Sequence, residues 1–230
     1  MTVADVIAAR LAASGVARAY GFPGGGSNLD LIEAFADAGI EFVLAHTEVA
    51  AALMACATAE LSGVPGVVVV GNGPGVASVV DGVAHAHLDR VPLLVISDRY
   101  TDAELATTGH QILDQRALLA PVVKWSATLG AGGVGAVLDH ALAVASAAPC
   151  GAVHLDMPRT VGGEIAREGE RGGAAPPTAD LSAPPPIAGL AAGADLAAIA
   201  DALAASARPV ILAGLEAARA LDAGALARLA

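Results

Sequence analysis

Short runs of wholly apolar residues constrain the fold of this chain more than any other feature. The runs at 67–70 and 93–96 contain only Val, Leu and Ile, and each lies between segments with helical periodicity. A strand with one exposed face alternates apolar and polar residues, whereas a strand buried on both faces is apolar throughout. Buried strands that alternate with amphipathic helices are typical of βαβ units. The sequence therefore predicts an α/β fold with a parallel sheet flanked by helices.

This alternation extends over residues 2–158. Its periodicity predicts helices at 3–14, 28–37, 48–61, 76–88, 113–119 and 135–147. It predicts strands at 17–20, 41–44, 67–70, 93–96 and 152–156. The residues around Trp125 are assigned to neither class.

Residues 162–193 have a different composition, rich in glycine, charge and proline. Proline fixes φ and removes a donor, so this segment is predicted to be a linker. After it the pattern predicts a helix at 194–206, a strand at 208–214 and a further helix up to residue 230. One strand cannot form a sheet. The chain is therefore predicted to contain a first domain at 1–161 and, at 194–230, the incomplete start of a second, Rossmann-like α/β domain.

The composition argues against several classes of function. The net charge is −11, and twelve scattered Lys and Arg residues leave no basic patch for nucleic acid. Cys56 and Cys150 lie apart in apolar contexts, as reduced thiols do. The N-terminus lacks the basic region and apolar stretch of an export signal, and the apolar runs are too short to cross a bilayer. We therefore expect a cytoplasmic protein without nucleic-acid or membrane partners.

The histidines do not suggest a metal site. His85 and His87 are two residues apart, so on a helix they point in directions roughly 200° apart, whereas metal pairs favour a spacing of four. His46 is expected to make an ordinary polar contact. No metal ligand is predicted in this chain.

Glu48 is an acid at the start of an alanine-rich helix, where packing requires no charge. Thr47 before it suits an N-cap, and an acid in the first turn interacts favourably with the helix dipole. A buried carboxylic acid at this position would also suit proton transfer, because burial raises its pKa. Two interpretations are open from these residues alone, a helix-stabilising acid and a catalytic acid.

Two glycine turns lie on either side of this helix in the sequence. The first glycine turn comprises residues 21–26 (Gly-Phe-Pro-Gly-Gly-Gly), and the second comprises residues 71–75 (Gly-Asn-Gly-Pro-Gly). Glycine lets the backbone adopt positive φ or approach a flat ring, although any doubly wound fold also needs tight connections here. A dinucleotide site requires Gly-x-Gly-x-x-Gly, and Val76 occupies the last glycine position. A nicotinamide site is therefore rejected.

In this order, Glu48 and the two turns resemble the pyrimidine-binding domain of thiamine-diphosphate-dependent enzymes, the acetolactate synthase and 2-oxo-acid decarboxylase family. The resemblance covers residues 3–161 and resumes at 194–230. It implies the thiamine diphosphate-binding fold. It also implies that Glu48 hydrogen-bonds N1′ of the coenzyme aminopyrimidine and shuttles a proton to it, which activates the coenzyme for decarboxylation or C–C bond chemistry on a small 2-oxo acid.

Further site residues follow from the same resemblance. Coenzyme contacts are implied for Pro23, Gly24, Gly73, Pro74 and Gly75, and weaker substrate contacts for Gly25 and Gln111. The chain departs from the family at two positions near the site. Ser78 stands where the family often has Asn, and His110 stands where acetolactate synthases commonly have an aromatic residue.

The resemblance also implies components that this chain does not carry. Family members bind the diphosphate and Mg²⁺ through a separate domain with a Gly-Asp-Gly motif, which is absent here. That domain would come from the same or another chain, and a homo-oligomer is implied. The incomplete second domain favours a fragment over a natural split subunit, and FAD use is undecided because its site would lie in that domain. Two other interpretations stay open, a non-catalytic binding or regulatory module and a flavodoxin-like nucleotide binder.

Overall fold

The structure is a computed structural model that describes residues 1–167 and 194–210, together with the single residues 212, 214, 215 and 224. The chain divides into two compact units, Met1–Leu181 and Ser182–Ala230. No helix within the described residues is both long and apolar enough to cross a membrane.

The described residues of the first unit contain six strands and seven α-helices. The strands are β1 (Arg18–Phe22), β2 (Glu41–Leu44), β3 (Gly66–Val70), β4 (Leu93–Arg99), β5 (Trp125–Thr128) and β6 (Ala152–Pro158). The helices are α1 (Val3–Ala13), α2 (Ser27–Asp37), α3 (Glu48–Ser62), α4 (Pro74–Leu88), α5 (Asp102–Leu105), α6 (Gln115–Leu119) and α7 (Val134–Ser146), and a short 3₁₀ helix (Ala120–Val122) follows α6. The second unit contains α8 (Ala194–Ala205).

All strands of the sheet run parallel, in the order β2-β1-β3-β4-β6-β5. The sheet is covered on both faces, as β3 illustrates. Val67 and Val69 pack into a core with α1, α2 and α7. Val68 and Val70 pack into a second core with α3, α4 and α6. The predicted parallel sheet flanked by helices is therefore confirmed. The apolar runs are continuous because the strands are buried on both faces.

Small residues let the helices approach the sheet closely. The buried face of α3 is made of Ala51, Ala52, Ala55, Cys56 and Ala59. Burial raises the pKa of the Cys56 thiol to about 12, so this thiol stays protonated at neutral pH. Cys56 and Cys150 are both free, as the sequence suggested.

Two elements of the first unit escaped the sequence pattern. The unassigned residues around Trp125 form β5, an edge strand whose residues are mostly only partly buried. The helix α5 has four residues and buries none of them, so it leaves no apolar periodicity to detect.

The segments beyond β6 differ in part from the prediction. Residues 162–167, predicted to open the linker, pack on the first unit, where Ile165 bridges to Thr2 and Arg167 bridges to Gly132. The rest of the predicted linker lies outside the described residues. The predicted helix at 194–206 is present as α8. The predicted strand at 208–214 is only partly described, and residues 208–210 are not in a strand.

Candidate functional site

The strand order reverses between β1 and β3, because β2 lies on one side of β1 while β3 and β4 lie on the other. Loops that leave the carboxyl ends of strands at such a point form a crevice where α/β proteins bind ligands. The two glycine turns follow β1 and β3, and they meet there. A Cβ atom placed on Gly24 would lie 3.0 Å from the Cα atom of Gly71.

Glu48 is the first residue of α3 and faces the second glycine turn. Its Oε1 atom lies 3.5 Å from the position a Cβ atom would take on Gly75, in the first turn of α4. The cap of α3 is supplied by Thr47, whose Oγ1 atom accepts from Ala50 N–H at 3.2 Å. The carboxylate itself accepts no hydrogen bond from the described residues. It is therefore available to a ligand at the turn.

The exposure of Glu48 corrects one expectation. The catalytic interpretation requires a largely buried carboxyl, and the apolar helix was consistent with one, but Glu48 is only partly buried in this chain. The reason is that the buried residues of α3 begin at Ala51, whereas Glu48 is the first residue of the helix and its carboxylate lies beside Gly75.

The second glycine turn is closed from above by the loop before α6. Gly73 has a φ of +54°, and a Cβ atom there would lie 2.1 Å from the carbonyl oxygen of Gln111. The Gly73 N–H donates to Oε1 of Gln115 at 2.7 Å. Pro74 is the exposed first residue of α4, where a missing N–H costs nothing, and Gly75 is buried behind it.

The first glycine turn is more open. Pro23 is partly buried, and Gly24 and Gly25 are exposed. Arg159 lies beside this turn, with its Nη2 atom 3.9 Å from a Cβ position on Gly25. The turn is therefore bordered by a cation that lies far away in the sequence.

A cavity of about 430 Å³ lies at the carboxyl ends of β4, β5 and β6. Gln111 lines it together with Gln115 and Asp156, whereas Glu48 does not. Its remaining lining residues are Asn72, Arg99, Tyr100, Leu105, Ile112, Leu113, Asp114, Arg116 and Thr128. The structure thus brings Glu48 to Gly75 and Gln111 to Gly73, but it places Glu48 outside the cavity that Gln111 lines.

Comparison with known proteins identifies the family. The family model described as "Thiamine pyrophosphate enzyme, N-terminal TPP binding domain" matches residues 1–118. This chain belongs to that family. Its fold and its resemblance to the N-terminal domain of thiamine pyrophosphate enzymes are therefore established, and a domain of this family binds thiamine pyrophosphate, which is another name for thiamine diphosphate.

Individual relatives include synthases and a decarboxylase. Acetolactate synthase of Bacillus subtilis is 31% identical over 164 residues, which is 70% of this chain and 28% of the relative. The probable 2-ketoarginine decarboxylase AruI of Pseudomonas aeruginosa is 35% identical over 221 residues, 93% of this chain and 37% of the relative. The catabolic acetolactate synthase of Raoultella terrigena is 28% identical over 227 residues, 98% of this chain and 39% of the relative. The chain thus spans 28% to 39% of the length of these relatives.

A buried acid lies beneath the first glycine turn of this thiamine pyrophosphate enzyme domain. Asp98, 3% exposed, accepts from the Asn28 N–H at 3.2 Å. The pKa of Asp98 is raised to about 7, mainly by burial and to a small extent by Asp30, while the Asn28 N–H and Arg159 oppose the shift. Asp98 therefore changes charge near neutral pH, next to the turn.

A second buried cluster lies under the cavity. The Oγ atom of Ser97 is 2.8 Å from Nε2 of His154 and donates to Oδ1 of Asp156 at 3.1 Å. Since Ser97 has one proton, His154 Nε2–H must be the donor to Ser97. Burial lowers the pKa of His154, so its ring is neutral, and its Nδ1 atom has no partner among the described residues.

Gln115 completes this cluster and links it to the second glycine turn. Its Nε2 atom donates to Ser97 Oγ at 3.1 Å, to the Asp98 carbonyl at 3.0 Å and to Asp156 Oδ1 at 2.7 Å. One feature of the sequence could have indicated the cluster, because His154 and Asp156 are two residues apart on a strand and so share a face. The residues near Gln115 in the sequence do not indicate its hydrogen-bond partners, which lie 17 to 42 residues away.

The other polar residues considered for metal binding lie elsewhere. His85 pairs with Asp89 at 2.9 Å one helical turn away, and His46 is exposed. Within the described parts of the chain, no three His, Cys, Asp or Glu side chains gather as a possible metal site.

Proposed function

We propose that this chain is the pyrimidine-binding part of an acetolactate synthase-like or decarboxylase-like thiamine-diphosphate enzyme, and that Glu48 binds the coenzyme aminopyrimidine. The observation that carries the proposal is the Glu48 carboxylate, which lies 3.5 Å from the Cβ position of Gly75 and has no partner among the described residues. A free carboxylate beside a glycine turn suits a ring nitrogen, because it can accept a charge-assisted hydrogen bond.

The residues around Glu48 also fit a flat ring. Because Gly75 has no side chain, nothing separates the Glu48 carboxylate from the backbone of the second turn. Because Gly24 has no side chain, the backbones of the two turns approach each other directly. Pro23, Gly24, Gly73, Pro74 and Gly75 would therefore supply backbone contacts on the coenzyme side.

The proposed chemistry divides between coenzyme and protein. The coenzyme supplies the carbon nucleophile and the electron sink for decarboxylation or C–C bond formation on a small 2-oxo acid. Glu48 would hold and move a proton at the ring nitrogen. Gln111 would face the substrate from its cavity, and Gly25 is a proposed substrate contact from the resemblance alone.

Other parts of the enzyme would complete the site. Mg²⁺ prefers oxygen ligands and phosphate oxygens, so it would be bound with the diphosphate on a domain of the same or another chain. The exposed apolar side chains on and near α3 support a homo-oligomer. They are Phe22, Leu44, Leu53, Met54 and Leu61.

Titration of the ¹⁵N-labelled chain with thiamine diphosphate tests this function. NMR detects weak binding, and we expect saturable shifts of the Glu48 and Gly75 amides. The Glu48→Gln variant should weaken affinity by about tenfold, as expected for the loss of a hydrogen bond to a charged group. Glu60→Gln removes an exposed acid from the other end of the same helix and should behave as the wild type.

Two results would count against the proposal. Equal affinities of the wild type and the Glu48→Gln variant would favour a non-catalytic module that retains the fold. Shifts of the same amides with flavin or adenine nucleotides, but not with thiamine diphosphate, would favour a nucleotide binder.

A further inference from the structure

The side-chain amide of Gln115 joins the second glycine turn to the buried cluster below the cavity. Its Oε1 atom accepts from the Gly73 N–H at 2.7 Å, and its Nε2 atom shares two protons among Ser97 Oγ, the Asp98 carbonyl and Asp156 Oδ1. The amide orientation is fixed by chemistry. The reverse orientation would turn its NH₂ group toward the Gly73 N–H and its oxygen toward a carbonyl and a carboxylate.

An amide is therefore needed at this position. A carboxylate would offer only acceptors to the Asp98 carbonyl and to Asp156, and an aliphatic side chain would leave every partner without a bond. Gln115 is 7% exposed, so water cannot easily replace the missing groups. Buried polar clusters of this kind have one satisfied arrangement.

Gln115 also bonds a backbone group at the start of α4. Gly73 is the N-cap residue of α4 and has no side chain to accept a hydrogen bond from the helix. Gln115 accepts from the Gly73 N–H, the group that the third residue of a helix bonds in a capping box, and it does so from outside the helix. On the same side, the Asn72 Nδ2 atom lies 3.5 Å from the carbonyl oxygen of Gln111. The residues from Gln111 to Gln115 therefore cover the turn at its Gly73 end, while Glu48 lies at its Gly75 end.

We propose that Gln115 is a positioning residue that fixes the second glycine turn, and with it the first turn of α4, against Glu48. The benefit of this contact for coenzyme binding rests on the function proposed above. The contact itself is a property of the chain without coenzyme. The two parts can therefore be tested separately.

Three variants of the ¹⁵N-labelled 230-residue chain separate the possible explanations. Gln115→Met keeps the length of the side chain and removes both hydrogen-bonding groups. Gln115→Glu supplies only acceptors when ionised, but one donor and one acceptor when protonated. Ala117→Glu adds the same charge at an exposed position of α6, where an acid at the third residue suits the Asp114 cap. The amide shifts of α1 report whether each variant is folded.

The first readout is hydrogen exchange of the Gly73 amide without coenzyme. Gln115→Met should speed this exchange by about five- to tenfold, which corresponds to the loss of one net hydrogen bond. Gln115→Glu should speed it more at pH 8 than at pH 5, because protonation restores the donor and acceptor pair. The Gly75 amide shift should follow the same pH dependence. Ala117→Glu should match the wild type at both pH values.

The second readout is affinity for thiamine diphosphate, expressed relative to the wild type at each pH. Gln115→Met should bind roughly fivefold more weakly at both pH values. Gln115→Glu should bind at least as weakly at pH 8 and return to within about twofold of the wild type at pH 5. A purely structural loss would not be restored by protonation of the new carboxyl.

The outcomes are distinct. Unchanged Gly73 exchange in Gln115→Met overturns the inference, and so does faster exchange with unchanged coenzyme affinity. An affinity of Gln115→Glu that is weaker than that of the wild type by the same factor at pH 5 and pH 8 also overturns it. A wild-type chain that does not respond to thiamine diphosphate contradicts the proposed function, and in that case the Gly73 exchange and the Gly75 shift still decide whether Gln115 fixes the turn.

Discussion

The two glycine turns have similar compositions, but different contacts hold them in place. In the second turn, Gly73 is buried with a φ of +54°, and the carbonyl of Gln111 leaves no space for a side chain. In the first turn, Gly24 is exposed, and its closest side chain is the ionisable Asp98. The second turn is thus fixed by backbone geometry and neutral hydrogen bonds, whereas the first turn lies against a buried acid whose charge depends on pH.

Because of this difference, the two turns should respond to different kinds of change. Steric changes should affect the second turn most, because its neighbours are backbone atoms that cannot rotate away. Changes of pH should affect the first turn most, because the pKa of Asp98 is raised to about 7. Substitutions in one turn can therefore be compared with matched substitutions in the other.

The largest effect is expected for Gly73→Ala. Its methyl group would lie 2.1 Å from the Gln111 carbonyl oxygen, and its backbone would remain at positive φ. We expect a loss of roughly 3–5 kcal/mol in unfolding free energy, which combines overpacking with the strain of a side chain in this glycine-specific backbone conformation. Urea unfolding followed by fluorescence of Trp125, the single tryptophan, measures it for the first unit.

Gly63→Ala is the matched control for that prediction. Gly63 has a φ of +74°, but a Cβ atom there meets nothing within 4 Å. It should cost only about 1 kcal/mol, because only the backbone penalty applies. Equal losses for the two variants would show that the Gln111 carbonyl does not close the second turn.

Much of the fold could be predicted from the sequence because its signals are local. The four valines of β3 require cover on both faces, and the structure supplies a core on each side. A relation between Glu48 and the second turn was implied by the resemblance to thiamine-diphosphate enzymes, whereas the residues alone left the role of Glu48 open. The edge strand β5 was missed because partial burial gives no continuous apolar run.

The polar parts of the site could not be predicted in the same way. Gln115 reaches Gly73 across 42 residues, and Ser97 reaches Asp156 across 59. These side chains are polar in the sequence and buried in the structure, so their burial depends on tertiary packing rather than on local pattern. Asp98 follows an apolar run and could have ended the strand at the surface, yet its carboxyl is enclosed by Asn28 and Arg159.

The second prediction concerns the charge under the first turn. The folded pKa of Asp98, about 7, lies above the usual value of 3.8. The folded state therefore binds more protons between these values, and unfolding free energy should fall as pH rises from 4 to 7. Asp98→Asn keeps an acceptor for Asn28 and cannot ionise. The unfolding free energy of the variant minus that of the wild type should therefore increase by on the order of 2–4 kcal/mol between pH 4 and pH 8.

Urea unfolding across pH 4 to 8 measures this difference. Both proteins share all other ionisable groups, so the wild-type minus variant curve isolates Asp98. Asp81→Asn, which removes an exposed acid of α4, should leave the pH dependence unchanged. A difference curve for Asp98→Asn that is flat, or that rises with pH, would contradict a buried neutral acid beneath the first turn.

The smallest effect is expected for Gly24→Ala, which tests whether the two turns share one packed contact. Its methyl group would lie 3.0 Å from the Gly71 Cα atom and 3.1 Å from Asp98 Oδ2, which is tight but can be relieved by a small shift of the exposed loop. We expect a loss of about 1 kcal/mol at pH 8. The loss should be smaller at pH 5, because the methyl group removes water from Asp98 and a neutral carboxyl loses less by this than a carboxylate.

Gly25→Ala places the same methyl group one residue further along the first turn, where the nearest atom is Arg159 Nη2 at 3.9 Å. This ordinary contact predicts almost no change in urea unfolding at either pH. Equal losses of stability for Gly24→Ala and Gly25→Ala would mean that the close approach of Gly24 to Gly71 does not limit side-chain size at the first turn. An equal loss at pH 5 and pH 8 for Gly24→Ala would mean that the methyl group acts through Gly71 alone, so the first turn, like the second, would be limited by backbone contact rather than by the charge of Asp98.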